Sequence, residues 1–122
     1  QEMFQIAYPR QRSMIEESAC VILPYFKQKY PLSDDKNGYG LMDYGAAWAL
    51  IENMLLAATA EGVGSVVHIP VKKEPEQIKA FLNVPDGWGM PAMVVLGYAV
   101  KDPLLPTQVK ATVENKVRWN KW

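Results

Sequence analysis

Apolar and polar residues fall in blocks along this chain, and the blocks predict both strands and helices. The run Ala19-Cys20-Val21-Ile22-Leu23-Pro24-Tyr25-Phe26 is continuous and rich in β-formers, the pattern of a strand covered on both faces. Before it, residues up to about Ser13 read as the end of an amphipathic helix. That helix is expected to break near Tyr8-Pro9, because proline removes a backbone donor and turns its predecessor away from helix. After the strand, residues 27–40 carry loop chemistry, with Asp34-Asp35-Lys36-Asn37-Gly38 at their centre.

Asp43 offers an N-cap, and a long helix is predicted from about Tyr44 to Glu61, where Gly62 supplies the stop. Such a helix is about 27 Å long and carries Ala, Leu, Ile, Met or Trp on nearly every face. A rod apolar all round has to be buried all round. A second subunit is the simplest cover for it, with a purely intramolecular central helix as the alternative. Ser65-Val66-Val67-His68-Ile69 reads as a second strand, residues 74–82 as a short helix, and Pro85-Asp86-Gly87 as a turn. Ala92-Met93-Val94-Val95-Leu96-Gly97-Tyr98-Ala99 reads as a third buried strand. The two prolines of Lys101-Asp102-Pro103-Leu104-Leu105-Pro106 forbid regular structure, although the leucines need cover, and residues 113–122 form a short helix with two tryptophans. Alternating strands and helices indicate an α+β class, with helices covering a small mixed sheet.

With 122 residues the chain is one domain with enough length for its own core, so no disulfide or metal is needed to hold it. Thirteen basic residues balance thirteen acidic ones, which leaves a nucleic acid or an anionic membrane without electrostatic support as a partner. The longest apolar stretch, residues 46–60, contains Glu52, Asn53 and Thr59 and is shorter than a bilayer span. Cys20 is the only cysteine and His68 the only histidine, so an internal disulfide and Cys- or His-rich metal sites are excluded. A cytoplasmic protein is expected. The first residue is Gln1, inside a helix pattern, and the chain is therefore expected to be a piece of something longer.

Individual motifs are weak. Gly62-Val63-Gly64 has no third glycine opening a helix and is better read as a helix stop and turn than as a dinucleotide fingerprint. Ser65 lacks the nucleophile-elbow frame, Cys20 lies in an apolar strand where thiols are inert, and Asp34-Asp35 is followed by Lys36 rather than by further cation ligands. Taken alone, His68 reads as a satisfied residue at a strand end. The four tryptophans and six tyrosines are as consistent with core packing as with stacking on a flat ligand.

Order and spacing say more. Asp43-Tyr44-Gly45-Ala46-Ala47, Glu52-Asn53-Met54-Leu55-Leu56-Ala57-Ala58 and Glu61-Gly62-Val63-Gly64-Ser65 together resemble the central-helix signature of the nitroreductase family of flavoproteins. Leu82-Asn83-Val84-Pro85-Asp86-Gly87, then Met93 through Ala99, and Val117-Arg118-Trp119-Asn120-Lys121-Trp122 resemble later segments of that family, and residues 11–26 resemble its approach to the sheet.

The resemblance implies a single nitroreductase-like domain over residues 1–122, with the long helix in a homodimer interface and the C-terminal tail wrapped on the partner. It implies FMN as cofactor, NAD(P)H as electron donor and a small-molecule acceptor such as a nitroaromatic or quinone. It also implies site residues. His68, Ile69 and Pro70 correspond to the loop against the flavin ring, with the Ile69 N–H as candidate donor to its N5. Pro70 stands where many relatives have glycine and offers no N–H. Lys110, with Gln108 beside it, falls where basic residues grip the FMN phosphate. Arg10, Arg12 and Ser13 match a stretch that touches ribityl and phosphate. The family's N-terminal Arg-rich motif and cross-dimer Ser/Asn loop have no counterpart, so the domain is expected to lack the N-terminal flavin-binding segment, and no residue stands out as a catalytic proton donor. The alternative is a non-catalytic dimerising or flavin-binding module on the same fold; an unrelated α+β interaction domain is a third reading.

Overall fold

A computed structural model describes residues 2–32, 36–102 and 110–121, with side chains from residue 9 onward except residue 115. Helix α1 (Glu2–Glu16) leads into strand β1 (Cys20–Ile22) and the two-residue strand β2 (Phe26–Lys27). The long helix α2 (Tyr39–Ala60), strand β3 (Gly64–His68) and helix α3 (Glu74–Leu82) follow. Strands β4 (Trp88–Gly89) and β5 (Met93–Gly97) and the single turn α4 (Val113–Lys116) complete the order.

The main sheet is antiparallel in the order β1-β5-β3, and β2 pairs antiparallel with β4 in a separate ribbon. The register aligns Ile22, Val94 and Val67 across the three strands, so these side chains share one face. Helix α2 lays Ile51 on that face, where Ile51, Ala92 and Val94 form the buried centre, flanked by Met54, Leu55 and Leu96. β5 is paired along both edges, and its residues Met93, Val94 and Val95, which alternate between the two faces, are buried.

Four expectations need correction. Helix α1 runs through Pro9 rather than breaking there, absorbing the loss of one backbone donor. The apolar run 19–26 is two short strands in different sheets, because Pro24 has no N–H to pair. Around it Tyr25 N–H donates to Leu23 O at 3.0 Å in a tight turn. Its strands are only partly covered, and Cys20 is exposed. Helix α2 begins at Tyr39, one turn earlier than expected, behind Gly38 at φ 76°. Asp43 therefore lies inside the helix, where its carboxylate accepts the Lys29 N–H at 3.4 Å and ties the preceding loop down. Finally, the C-terminal helix is one turn, Val113–Lys116, and the chain leaves it extended at Val117.

Other signals hold. Gly62, at φ 71°, ends α2 in a Schellman arrangement in which Val63 N–H reaches Ala58 O at 2.8 Å and Gly62 N–H reaches Thr59 O at 3.1 Å. Within this chain α2 buries only Gly40, Ala47, Ile51 and Ala58. Leu41, Met42 and Leu56 are each at least 59% exposed, and Trp48 and Leu50 are exposed as well. The leucines of residues 103–106, Gln108, Asp34, Asp35 and Trp122 lie outside the described residues.

Candidate functional site

Strand β3 ends at His68, and the chain turns through Ile69, Pro70 and Val71 into α3. Strand pairing stops there, with His68 opposite Met93. The Ile69 N–H lies just beyond the ladder and has no hydrogen-bond partner among the described residues. Its side chain is also open to solvent, at 55% exposure. Pro70 contributes no donor. The end of β3 thus presents one free backbone N–H beside an apolar side chain, where two donors in succession would need a residue other than proline.

Polar control of this turn comes from Glu74, in the first turn of α3. Its Oε2 accepts the Val71 N–H at 2.9 Å and lies 3.3 Å from His68 Nε2. For that pair to be a hydrogen bond with an ionised carboxylate, Nε2 must carry the imidazole proton. The Val71 N–H bond is the main cause that holds the Glu74 carboxyl below its ordinary range. His68 and Lys72 add to the effect, while partial burial opposes it. The His68 side chain is only 10% exposed, so its orientation is set by packing and by this one carboxylate. Glu74 was not among the residues the sequence singled out. The signal available was an acidic residue opening a helix immediately before Pro75, the position where a carboxylate can reach back to a free N–H.

The other expected site residues are scattered. Arg12 Nε is bound to Glu16 Oε1 at 2.7 Å one helical turn away, and the Ser13 hydroxyl donates to Arg10 O at 3.1 Å, so both are engaged within α1. Arg10 is exposed and makes no ion pair among the described residues. Met14 and Glu17, just after this stretch, line a hollow with Gly64, Ser65 and Gly97. Gly64 faces Gly97 at one end of the β3–β5 ladder and His68 faces Met93 at the other. At about 3.4 Å per residue, the close of α1 and the His68–Pro70 turn are on the order of 14 Å apart. Lys110 precedes α4, is exposed, and has no hydrogen bond or ion pair among the described residues. No hydrogen bond joins the three groups among the described residues, and Gln108 lies outside them. Also among the described residues, no three metal-ligating side chains come together and no helix is long and apolar enough to cross a membrane.

One further polar atom stands apart. The Tyr25 hydroxyl is buried without a hydrogen-bond partner among the described residues, and burial pushes its phenol up from the usual range. Tyr25 lines a hollow of about 280 Å³ formed with Pro24, Lys27, Asp43 and Leu50 between the β1–β2 turn and α2.

The family model described as Nitroreductase family matches residues 1–98. Among solved structures, the chain is similar to the crystal structure of a nitroreductase-like family protein from Bacillus cereus. The two share 18% identity and superpose with a TM-score of 0.67 over 93% of this chain and 59% of the other. That likeness carries the fold, and this chain spans less than two thirds of that protein's length. No curated protein matches the chain significantly.

Proposed function

Because this chain belongs to the nitroreductase family, we propose that it belongs to a flavin-dependent oxidoreductase that takes hydride from NAD(P)H and passes it through FMN to a small acceptor such as a nitroaromatic or quinone. One observation carries the reading. Ile69 offers a backbone N–H, unpartnered among the described residues, at a strand end beside an apolar side chain, the kind of donor that suits the edge of a flat heteroaromatic ring. FMN supplies the hydride and electron chemistry when bound, and the residues of this chain bind and orient it. Ile69 is the candidate donor to the ring, with His68 and Pro70 shaping the turn around it. Lys110, whose ammonium has no partner among the described residues, is the candidate for the phosphate, with Gln108 beside it and Arg10, Arg12 and Ser13 as further candidates for the ribityl–phosphate end. Arg12 spends only its Nε–H within α1 and keeps its Nη donors for that role, whereas the Ser13 hydroxyl would have to give up the Arg10 carbonyl to donate there.

The reading includes a homodimer. Helix α2 exposes Leu41, Met42, Trp48, Leu50 and Leu56, and a second copy of the same helix would bury an apolar surface of this kind by symmetry. The same reading puts the protein in the cytoplasm, a reducing compartment that suits a chain with one exposed cysteine.

The test is direct. The purified full chain, mixed with FMN and passed through a desalting column, is expected to retain the yellow cofactor and to oxidise NADH or NADPH when a nitroaromatic or quinone is added. A colourless protein overturns the reading. Lys110→Ala should weaken FMN binding about tenfold, as expected for loss of a charge-assisted contact; unchanged affinity removes Lys110 from the phosphate site. Pro70 favours a second reading, a non-catalytic dimerising or flavin-binding module, since it withdraws one backbone donor from the ring. FMN retention without steady NAD(P)H oxidation would select it.

A further inference from the structure

We infer that Glu74 is a positioning residue, whose carboxylate clamps the turn after β3 on both sides of Ile69 and so fixes the direction of the Ile69 N–H. The inference rests on the flavin reading above. Glu74 and Val71 exchange donors: Glu74 N–H reaches Val71 O at 3.1 Å, and Val71 N–H reaches Glu74 Oε2 at 2.9 Å. The same oxygen faces His68 Nε2 at 3.3 Å. His68 and Val71 bracket the dipeptide Ile69-Pro70, and the φ of Pro70 is fixed by its ring. With both flanking residues held by one carboxylate, the peptide plane that carries the Ile69 N–H has little freedom left.

The clamp is needed because the turn is strained. Lys72 sits at φ 57°, a left-handed conformation that residues with a Cβ avoid. Pro70 and Pro75 can supply no backbone donors to hold it. Preorganising a donor in this way lowers the ordering cost of binding, because the turn does not have to be arrested when the ligand arrives.

The experiment uses the full chain, isotopically labelled, as wild type, Glu74→Ala and Glu74→Gln. In flavin-free wild type, the Val71 amide should exchange slowly with solvent and the His68 ring nitrogens should report the Nε2–H tautomer. Both signatures should be lost in Glu74→Ala. The FMN dissociation constant, read from quenching of flavin fluorescence, should rise about threefold to tenfold in Glu74→Ala. Glu74→Gln keeps an oxygen acceptor for Val71 and should return to within about twofold of wild type. Unchanged FMN affinity in Glu74→Ala overturns the inference while leaving the flavin reading intact, and so does a folded Glu74→Gln that fails to recover. Should Glu74→Ala not fold, a fast-exchanging Val71 amide in wild type overturns it. Wild type that binds no FMN overturns the flavin reading, and this role of Glu74 with it.

Discussion

The ring of Phe26 meets the ring of Tyr44 edge-on, with centroids 5.0 Å apart and planes at 83°, and this pair fastens the β2–β4 ribbon to helix α2. Gly89 lies opposite Phe26 in the ribbon and is buried. A Cβ at Gly89 would sit 3.0 Å from Phe26 Cζ and 3.4 Å from the Tyr44 hydroxyl. Gly89→Ala is therefore expected to destabilise the protein by about 1 kcal/mol, because displacing the packed ring outweighs the smaller gain from stiffening the unfolded chain. Urea unfolding measures this. Combining it with Phe26→Leu should give less than the sum of the two losses, since the smaller side chain relieves the crowding.

Ile51 and Val94 form the contact between α2 and the sheet, each almost completely buried. Ile51→Ala should cost about 3 kcal/mol, the transfer of the lost methylenes plus the cavity they leave. Denaturant midpoints compared at equal slope test this, and a loss below about 1 kcal/mol would mean that the helix relaxes onto the sheet.

Among the exposed residues of α2, Leu50→Glu together with Leu56→Glu should shift the protein from dimer to monomer on light scattering while the helical circular dichroism is kept. Both side chains are more than half exposed in the single chain, so their replacement removes little packing within it. A protein that is monomeric before mutation, or equally dimeric after it, would remove α2 from the proposed interface.

Acid should loosen the turn after β3. The Glu74 carboxyl is held below its ordinary value, chiefly by the Val71 N–H, so its contribution to stability is fully present above the unfolded value near about 4.3. The contribution is lost as pH falls through the lower folded value. Wild type should therefore lose more stability than Glu74→Gln between about pH 5 and pH 2.5, measured by urea unfolding at each pH. Parallel losses in the two proteins would show that the carboxylate is not differentially stabilised by folding. Because the Glu74 side chain is nearly half exposed, the difference should be small.

Much of the framework was legible in the residues because it rests on local chemistry. Gly62 stops α2 with a backbone conformation that glycine reaches without strain, Gly87 at φ 79° turns the chain before β4, and residues 74–82 form a helix behind a proline at its start. The misreadings share a cause. The run 19–26 has one apolar pattern, and only its pairing partners decide that it belongs to two sheets. Asp43 has the chemistry of a cap, but packing of the first turn of α2, including a ring contact between Tyr30 and Tyr39 at 5.4 Å, starts the helix before it.

The candidate site divides in the same way. His68, Ile69 and Pro70 are neighbours in sequence, and their arrival together at a strand end follows from the apolar run before them. The ordered motifs of α2 and β5 were likewise enough to indicate the family. Tertiary structure alone decided that Glu74 would close on both His68 and Val71. It also decided that Arg12 and Ser13 would be occupied within α1, and that the close of α1 would stand at the far end of the sheet from Ile69. The physical reason is range: φ preferences, caps and periodicity act within a few residues, whereas a carboxylate meeting an imidazole six residues away, or one strand meeting another, depends on how the chain as a whole buries its apolar faces.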